Sequence, residues 1–170
     1  MAIQLIFCVE TNKRADTDSI YINEMIHYLY NIDNKVKISK VYMGSKTKYK
    51  SKEIIKEISN KKEMYKLGDS IVIYCIDTDQ YETNQEHKSD YEKIQKYCDM
   101  NNYELIWFCH DIEEVFLGHK VPDSEKVKQA ANFKKGDIVN KININMLQES
   151  VKRINASNML NVLDKYLQRK

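Results

Sequence analysis

The sequence has few of the residues that cross-link or interrupt small domains. Its 170 residues include four cysteines, four glycines and one proline. No two cysteines have the Cys-x-x-Cys spacing that zinc ribbons and dithiol redox motifs require, and the four histidines show no metal-ligand spacing. The cysteines fall mostly within apolar runs, so we predict reduced, buried thiols in a reducing compartment. They are Cys8, Cys75, Cys98 and Cys109.

The sequence also lacks a long hydrophobic run and a strong excess of one charge. Its first apolar run, 3–9, is too short to span a bilayer and leads into Glu10 without a signal-peptide cleavage site. Lys and Arg number 27 and Asp and Glu number 25, which gives a net charge of +2. We therefore expect a cytoplasmic protein with no membrane partner, whose contacts with nucleic acid would depend on local charge.

Apolar patterning predicts the fold class. Four short apolar runs read as buried strands, at 4–9, 36–41, 70–76 and 103–109. Between them, apolar residues recur at helical spacing within 22–29, 54–64 and 91–98. Strands that alternate with helices indicate βαβ units. The prediction is an α/β domain with a central, mostly parallel four-stranded sheet flanked by helices.

The length is that of a single domain, which we place at 1–170. The alternating pattern gives it a core at about 3–117. The remainder, about 118–170, is predicted to be a helical extension. Apolar residues within 146–154 and 159–167 have helical spacing, which predicts two C-terminal helices packed on the sheet.

Acidic residues follow three of the four predicted strands. Glu10 ends the first strand, Asp77 and Asp79 end the third, and Asp111 follows the fourth. The carboxyl ends of parallel strands meet in one crevice, where such folds bind ligands. Clustered carboxylates repel one another, and Mg²⁺ relieves that repulsion. The pattern favours a metal site, although strand-end acids are also common as helix caps and turn residues.

The spacing of the Asp-x-Asp pair suggests how such a site would be built. Residues two apart on an extended backbone point to the same side, so Asp77 and Asp79 are placed to share one cation or to bracket two. Glu10 would complete the site from the neighbouring strand.

Four motifs in chain order resemble Toprim-like domains. They are a hydrophobic strand plus glutamate at 7–10, Thr-Asp-x-x-Tyr-Ile at 17–22, Asp-x-Asp at 77–79, and a segment at 110–117. The last is similar to the Asn-Pro-x-Phe-Glu-x-Trp-Leu segment of RloB-like proteins. The resemblance covers about residues 3–117 and is closest to the RloB-like family and OLD-type nucleases of bacterial defence systems. It implies a three-layer, Rossmannoid Toprim-like domain.

The resemblance also implies an activity. Asp77 and Asp79 would hold Mg²⁺ or Mn²⁺, with Glu10 as general base or further ligand, and Asp18 and Glu114 would shape a second cation position. The chemistry would be phosphoryl transfer, in which cations activate water and stabilise charge on the phosphate. The implied function is a metal-dependent nuclease or related phosphotransfer enzyme on nucleic acid, acting in phage or mobile-element defence.

A nuclease needs cationic contacts to its substrate. The segment after the second predicted strand offers four lysines with a tyrosine between them: Lys46, Lys48, Tyr49, Lys50 and Lys52. Alternating lysines with an interleaved aromatic residue suit a DNA or RNA backbone. A solvated lysine-rich surface explains the same pattern, so both interpretations stay open.

Two other functions fit the sequence. The chain has no Gly-x-x-x-x-Gly-Lys phosphate loop, so a noncatalytic Toprim-like module that binds a partner such as an ATPase is an alternative. Thr11, where Toprim-like domains carry glycine after the glutamate, favours that alternative. A flavodoxin-like or receiver-like signalling domain is a third, but no Asp-Asp pair follows the first strand. The sequence leaves a homo-oligomer open.

Overall fold

A single sheet organises the fold. The computed structural model describes residues 2–170, apart from the side chain of Asp137. Five strands pair in the order β2-β1-β3-β4-β5, with the first four parallel and the last antiparallel. They are β1 (Ala2–Val9), β2 (Val36–Tyr42), β3 (Gly68–Asp77), β4 (Glu104–Cys109) and β5 (Ala156–Ser157). The predicted α/β class and mostly parallel sheet are confirmed, but the sheet has five strands and not four.

Helices cover both faces of the sheet. They are α1 (Thr17–Leu29), α2 (Lys52–Met64), α3 (Gln85–Asn101), α4 (Ile112–Leu117), α5 (Lys126–Lys135) and α6 (Met159–Leu163). Leu5, Phe7 and Val9 of β1 pack with α1, α4, α5 and α6, whereas Ile6 and Cys8 pack with α2 and α3. Successive strand residues point to opposite faces, so burial on both sides explains the continuous apolar runs.

The segment after α4 belongs to the same core as the sheet. The Tyr21 ring of α1 stacks on Phe116 of α4 at 5.5 Å between centroids, and Phe133 of α5 lies 4.9 Å from it. Phe133 and Tyr21 are almost completely buried. The helix α5 therefore packs on α1 as part of the core that also contains β1.

Two further expectations concern burial and hydropathy. All four cysteines are buried and free of disulfides, as their apolar surroundings predict. Within residues 2–170, no helix combines the length and the hydropathy needed to cross a membrane.

Of the two C-terminal helices that the sequence predicts, the second is present as α6 (Met159–Leu163), and the first, within 146–154, does not form. Only Ile144–Leu147 forms a short 3₁₀ turn, and the chain then runs without regular structure to β5. Val151 and Ile154, which have helical spacing with Leu147, are exposed. Asn155 adopts a left-handed conformation at φ 61°, and Ala156 and Ser157 then pair with the end of β4. Pairing with an open strand edge outweighs a weak helical pattern here.

The side chain of Asn158 completes the edge of β4 beyond the two residues that β5 covers. Its Oδ1 accepts a hydrogen bond from Trp107 N at 2.9 Å, and its Nδ2 donates to Leu105 O at 2.9 Å. One amide side chain thus replaces the pairing that a longer fifth strand would supply.

We expect Asn158→Ala to lower the free energy of unfolding by about 1–3 kcal/mol, because it leaves two backbone groups of a buried strand without partners. Denaturant unfolding measures the loss. Asn161→Ala is the matched control, since the Asn161 amide donates to the Gln148 and Glu149 carbonyls at an exposed position. Equal losses in the two variants would show that Asn158 has no special role at the edge.

Candidate metal and phosphate site

The sheet order places a crevice at the carboxyl ends of β1 and β3. From β1 the chain crosses over through α1 to β2 on one side, and β3 lies on the other side of β1. Helix α1, which follows β1, covers one face of the sheet, and α3, which follows β3, covers the other, so the connections that leave the two strands diverge at this point. Ligands of doubly wound sheets bind where the strand order reverses in this way.

Glu10 and Asp77 meet in this crevice. Glu10 Oε1 accepts a hydrogen bond from Asp77 N at 2.7 Å, and Asp77 Oδ1 accepts one from Ile112 N at 3.0 Å. Both side chains keep some exposure to solvent. Within residues 2–170, the second oxygen of each carboxylate receives no hydrogen bond. In each residue, a hydrogen bond therefore fixes one carboxylate oxygen, and the other oxygen remains available to a ligand.

Asp18 joins the crevice from the first turn of α1. The sequence suggests Asp18 or Ser19 as the helix cap, but Asp16 occupies the cap position and makes no side-chain cap bond there. Asp16 Oδ2 instead accepts hydrogen bonds from Lys40 Nζ at 3.0 Å and Tyr42 Oη at 2.8 Å. The helix thus begins earlier than expected. Asp18 is buried, and its Oδ2 accepts from Thr11 N at 3.3 Å.

Lys46 lies among these acids and not on the surface. Its side chain is 11% exposed, and its Nζ donates to Asp77 O at 3.0 Å and to Asp79 Oδ2. Of the four lysines that the sequence offers for contacts with nucleic acid, Lys46 is therefore buried in the crevice. Ser45 caps the short 3₁₀ turn at Lys46–Lys48 through a hydrogen bond to Thr47 N, which orients this segment.

Asp79 does not continue the strand geometry of Asp77. Its φ is 49°, a left-handed conformation, because β3 ends at Asp77. The premise that an extended backbone turns Asp77 and Asp79 to the same side therefore does not hold. The Asp79 carboxylate pairs with Lys46, and its backbone N donates to His110 O at 2.9 Å.

Burial controls the charge state of the acids. It raises the pKa of Glu10 to about 8 and the pKa of Asp18 to about 7, and the neighbouring carboxylates add to both shifts. Burial and the Glu10 carboxylate also raise the pKa of Asp77 well above its ordinary value. The positive charge of Lys46 acts in the opposite direction and lowers the pKa of Glu10. One ammonium group therefore does not offset the burial and mutual repulsion of these carboxylates.

Lys46 remains a cation despite its burial. Burial alone lowers the pKa of its ammonium, but the Glu10 and Asp79 carboxylates raise that pKa by more, to a value above the ordinary one. The ammonium is therefore the resident counter-ion of the crevice.

Glu113 lies at the crevice, where the sequence suggests Glu114. Glu113 is 1% exposed, and its Oε2 lies 3.2 Å from Lys126 Nζ. Its charge raises the pKa of Asp18, so Glu113 faces the acidic crevice. Glu114, the expected metal ligand, instead accepts a hydrogen bond from His110 N at 3.1 Å. Adjacent residues on a helix point in different directions, and a one-residue difference decides which acid enters the site.

The second cluster of potential ligands was not expected from the sequence. Glu82, Cys109 and His110 each place one ligand atom within 4.8 Å of the others. In the part of the chain that the structure describes, this is the only group of three or more such residues that meets so closely. Glu82 is far from Cys109 in sequence, so only the pairing of β3 with β4 reveals the group.

Of the predicted nucleic-acid contacts, Lys48, Lys50 and Lys52 are exposed. Tyr49 is buried beneath them, with Lys50 Nζ 5.5 Å from its ring centroid. Tyr49 O accepts a hydrogen bond from the buried Tyr74 hydroxyl at 2.7 Å, which anchors the segment to the sheet. The three lysines therefore stand on a fixed support next to Lys46, while the Tyr49 ring is not free to stack on a base.

Comparison with known proteins does not identify a family for this chain. No family model, curated protein or solved structure matches it. The resemblance to Toprim-like domains rests on the residues of this sequence, and the function must be inferred from the site.

In the absence of divalent cations, the raised pKa values of Glu10 and Asp18 make stability fall as pH rises. A carboxyl whose pKa is higher in the folded state stabilises the fold fully below its unfolded pKa, and this contribution is lost as pH rises through the folded pKa. The window runs from about pH 3.8, the ordinary pKa of Asp18, to about pH 8, the folded pKa of Glu10. Each proton involved gives a slope of up to about 1.4 kcal/mol per pH unit. Denaturant unfolding in chelator measures it.

The double variant Glu10→Gln, Asp18→Asn removes two of these ionisations and should reduce this slope, while the raised pKa of Asp77 keeps part of it. The control Asp69→Asn changes an exposed aspartate at the other end of β3 and should leave the slope unchanged. An undiminished slope in the double variant would mean that other groups cause it.

Proposed function

We propose that the protein is a Mg²⁺- or Mn²⁺-dependent phosphodiesterase acting on nucleic acid, that is, a nuclease. The observation that carries the proposal is the Glu10 and Asp77 pair at the reversal point of the sheet, each fixed by one oxygen with the other available. Partly buried carboxylates with raised pKa values are typical of functional sites that bind a cation or transfer a proton.

The donor set suits a hard cation. Glu10, Asp18 and Asp77 offer carboxylate oxygens only. Within residues 2–170, no three of the crevice acids bring ligand oxygens within 4.8 Å of one another. A closed protein cage is therefore absent from that part of the chain, as is usual for Mg²⁺, which one or two carboxylates hold together with waters and substrate phosphates.

In this proposal Glu10 and Asp77 hold the cation, with Asp18 as the third carboxylate nearby. When bound, the cation supplies a Lewis acid for the phosphate and lowers the pKa of a water. In the alternative arrangement Asp77 holds the cation with waters, and the free oxygen of Glu10 serves as the general base for the attacking water.

Lys46 and Asp79 have supporting parts. The Lys46 ammonium lies between Asp79 and the Asp77 carbonyl, so it is positioned to neutralise charge on a phosphate that enters the crevice. Asp79 holds the ammonium from the solvent side. We assign Asp79 to positioning Lys46 and not to the cation, which revises the role that the sequence suggests for it.

The exposed lysines supply the substrate class. Lys48, Lys50 and Lys52 follow Lys46 directly, so a nucleic-acid backbone along them would pass the crevice. The crevice and these lysines suit DNA and RNA equally. A role against phage or mobile elements is part of the proposal and rests on the resemblance to RloB-like and OLD-type proteins.

One observation favours the noncatalytic alternative. Lys46 already pairs with Asp79 and with the carbonyl of Asp77, so part of the crevice charge is neutralised within the chain. In that case the acids would stabilise the loops, and the domain would bind a partner protein such as an ATPase. The two functions differ in whether the crevice binds a divalent cation.

We expect Asp77→Asn to abolish Mg²⁺ and Mn²⁺ binding and to reduce nucleic-acid cleavage at least about 100-fold, because the amide removes a ligand charge and keeps the size of the side chain. Calorimetry measures binding, and gel assays on plasmid DNA and total RNA measure cleavage. Asn can still accept the hydrogen bond from Ile112 N, so the fold should survive.

Asp69→Asn on the same strand is the matched control and should bind and cleave as the wild type does. A folded wild type without affinity for either cation would contradict the enzymatic proposal and favour the noncatalytic one. Cation binding without cleavage would leave a metal-binding module in place of an enzyme.

Replacing Lys48, Lys50 and Lys52 by glutamine should weaken nucleic-acid binding and lower its salt dependence, by about one unit of slope for each phosphate that the protein no longer neutralises. Fluorescence anisotropy over a salt series measures both. The triple variant should bind Mg²⁺ unchanged, because none of these lysines contacts the crevice acids.

A control triple variant changes Lys35, Lys37 and Lys66 to glutamine at the amino ends of β2 and β3. It alters the net charge equally but at the opposite end of the sheet. Equal losses in the two variants would mean that charge alone, and not a track beside the crevice, drives binding.

A further inference from the structure

The group formed by Glu82, Cys109 and His110 lies beside the end of β4, apart from the Glu10 and Asp77 pair. Cys109 Sγ lies 3.6 Å from Glu82 Oε1, and His110 Nε2 lies 3.2 Å from Glu82 Oε2. Glu82 comes from the turn between β3 and α3, and the other two residues end β4. Two neighbouring parallel strands therefore bring the three side chains together.

The donor atoms differ in kind from those of the oxygen-only crevice. A thiolate, an imidazole and a carboxylate are the three ligand types that Zn²⁺ takes in proteins, whereas Mg²⁺ prefers oxygens. Three protein ligands leave one position of a tetrahedral site open for water. The chemistry of the group therefore selects a borderline-soft cation.

The ring of His110 is already held as in a metal site. Its Nδ1 lies 3.2 Å from Glu114 Oε2, and the same oxygen accepts a hydrogen bond from His110 N at 3.1 Å. Glu114 is fixed in turn, because Asp111 Oδ1 accepts from Glu114 N at 2.8 Å at the start of α4. A carboxylate on one ring nitrogen, with the other nitrogen directed at the remaining ligands, here Glu82, is the usual outer-shell arrangement of zinc-bound histidine.

Thr78 supplies an independent observation. Its side chain is fully buried, and within residues 2–170 its hydroxyl has no hydrogen-bond partner. Thr78 lies beside Cys109, because its backbone N donates a hydrogen bond to the carbonyl of the preceding residue, Phe108, at 2.9 Å. A buried hydroxyl without a partner is costly, and a thiolate at Cys109 would give it an acceptor.

The turn that carries Glu82 is held in place although Glu82 itself is exposed. The Tyr81 ring lies 6.0 Å from the Tyr91 ring, and Lys152 Nζ lies 5.4 and 4.2 Å from their two centroids. Gln80 N also donates to His87 Nδ1 at 3.2 Å. Aromatic and cation–π contacts thus fix the backbone on which Glu82 stands.

We propose that Glu82, Cys109 and His110 bind one Zn²⁺ ion, with the fourth position open to water. On binding, the Cys109 thiol releases its proton to solvent as the sulfur–zinc bond forms, and Thr78 donates to the resulting thiolate. His110 coordinates through Nε2 and keeps its proton on Nδ1, which donates to Glu114. The proposal does not rest on the proposed nuclease activity, because it uses a different set of ligands.

Titration of the metal-free full-length chain with Co²⁺ as a spectroscopic substitute tests the site. A cobalt–thiolate bond gives a charge-transfer band in the near ultraviolet, and Zn²⁺ should displace Co²⁺ with loss of the band. We expect saturation at one equivalent. Cys109→Ser and His110→Gln should each weaken binding at least about 10-fold. The controls Cys98→Ser and His119→Gln, a buried thiol and an exposed imidazole, should bind as the wild type does.

Glu114→Gln tests the orienting hydrogen bond and should weaken Zn²⁺ binding about 10-fold without removing the cobalt–thiolate band. Mg²⁺ calorimetry separates the two sites, since His110→Gln should keep Mg²⁺ binding and Asp77→Asn should keep Zn²⁺ binding. His110 is partly exposed, so its variant decides the question even if the buried Cys109→Ser variant does not fold. Absence of the band in wild type, or an unchanged affinity in His110→Gln, would overturn the proposal.

Discussion

The parallel pairing of β1 with β3 is the constraint on which the candidate site depends. Its register sets Val9 opposite Cys75, so that Glu10 follows one strand next to the last residues of the other. The Glu10 carboxylate then reaches Asp77 N, and the Asp77 carboxylate reaches Ile112 N. A shift by one residue would turn Glu10 to the opposite face of the sheet and separate the pair. The packing of both faces prevents that shift, because every residue from Leu5 to Val9 is buried.

Burying acids at this position has a cost that the chain only partly offsets. Lys46 pairs with the Asp79 carboxylate and donates a hydrogen bond to the Asp77 carbonyl, and Lys126 pairs with the Glu113 carboxylate. Glu10, Asp18 and Asp77 receive backbone hydrogen bonds but no direct ion pair within residues 2–170, and their pKa values rise accordingly. A sequence selected for stability alone would replace such acids by apolar or amide side chains. Their presence is therefore best explained by a ligand that carries positive charge or protons.

Much of the fold was predictable because its strands are buried on both faces. The apolar runs that became β1, β3 and β4 need no tertiary information, and neither does the acid that ends each of the first two. Contacts made by single side chains were not predictable. Lys46 resembles its neighbours Lys48 and Lys50 in sequence, and only the fold turns it inward. The choice between Glu113 and Glu114 depends on the phase of a six-residue helix, whose start no pattern of that length defines.

The two donor sets lie at the same edge of the sheet and are opposite in chemistry. Oxygen ligands at Glu10 and Asp77 favour a hard cation, and the thiol and imidazole beyond β4 favour a softer one, so the proposed ions would not compete for one position. Residues 78–79, which follow β3, contact both sites. Thr78 N donates to Phe108 O, Asp79 N donates to His110 O, and the Asp79 side chain holds Lys46. A cation that fixes His110 would therefore also restrain Asp79, and through it the ammonium that faces the proposed phosphate site.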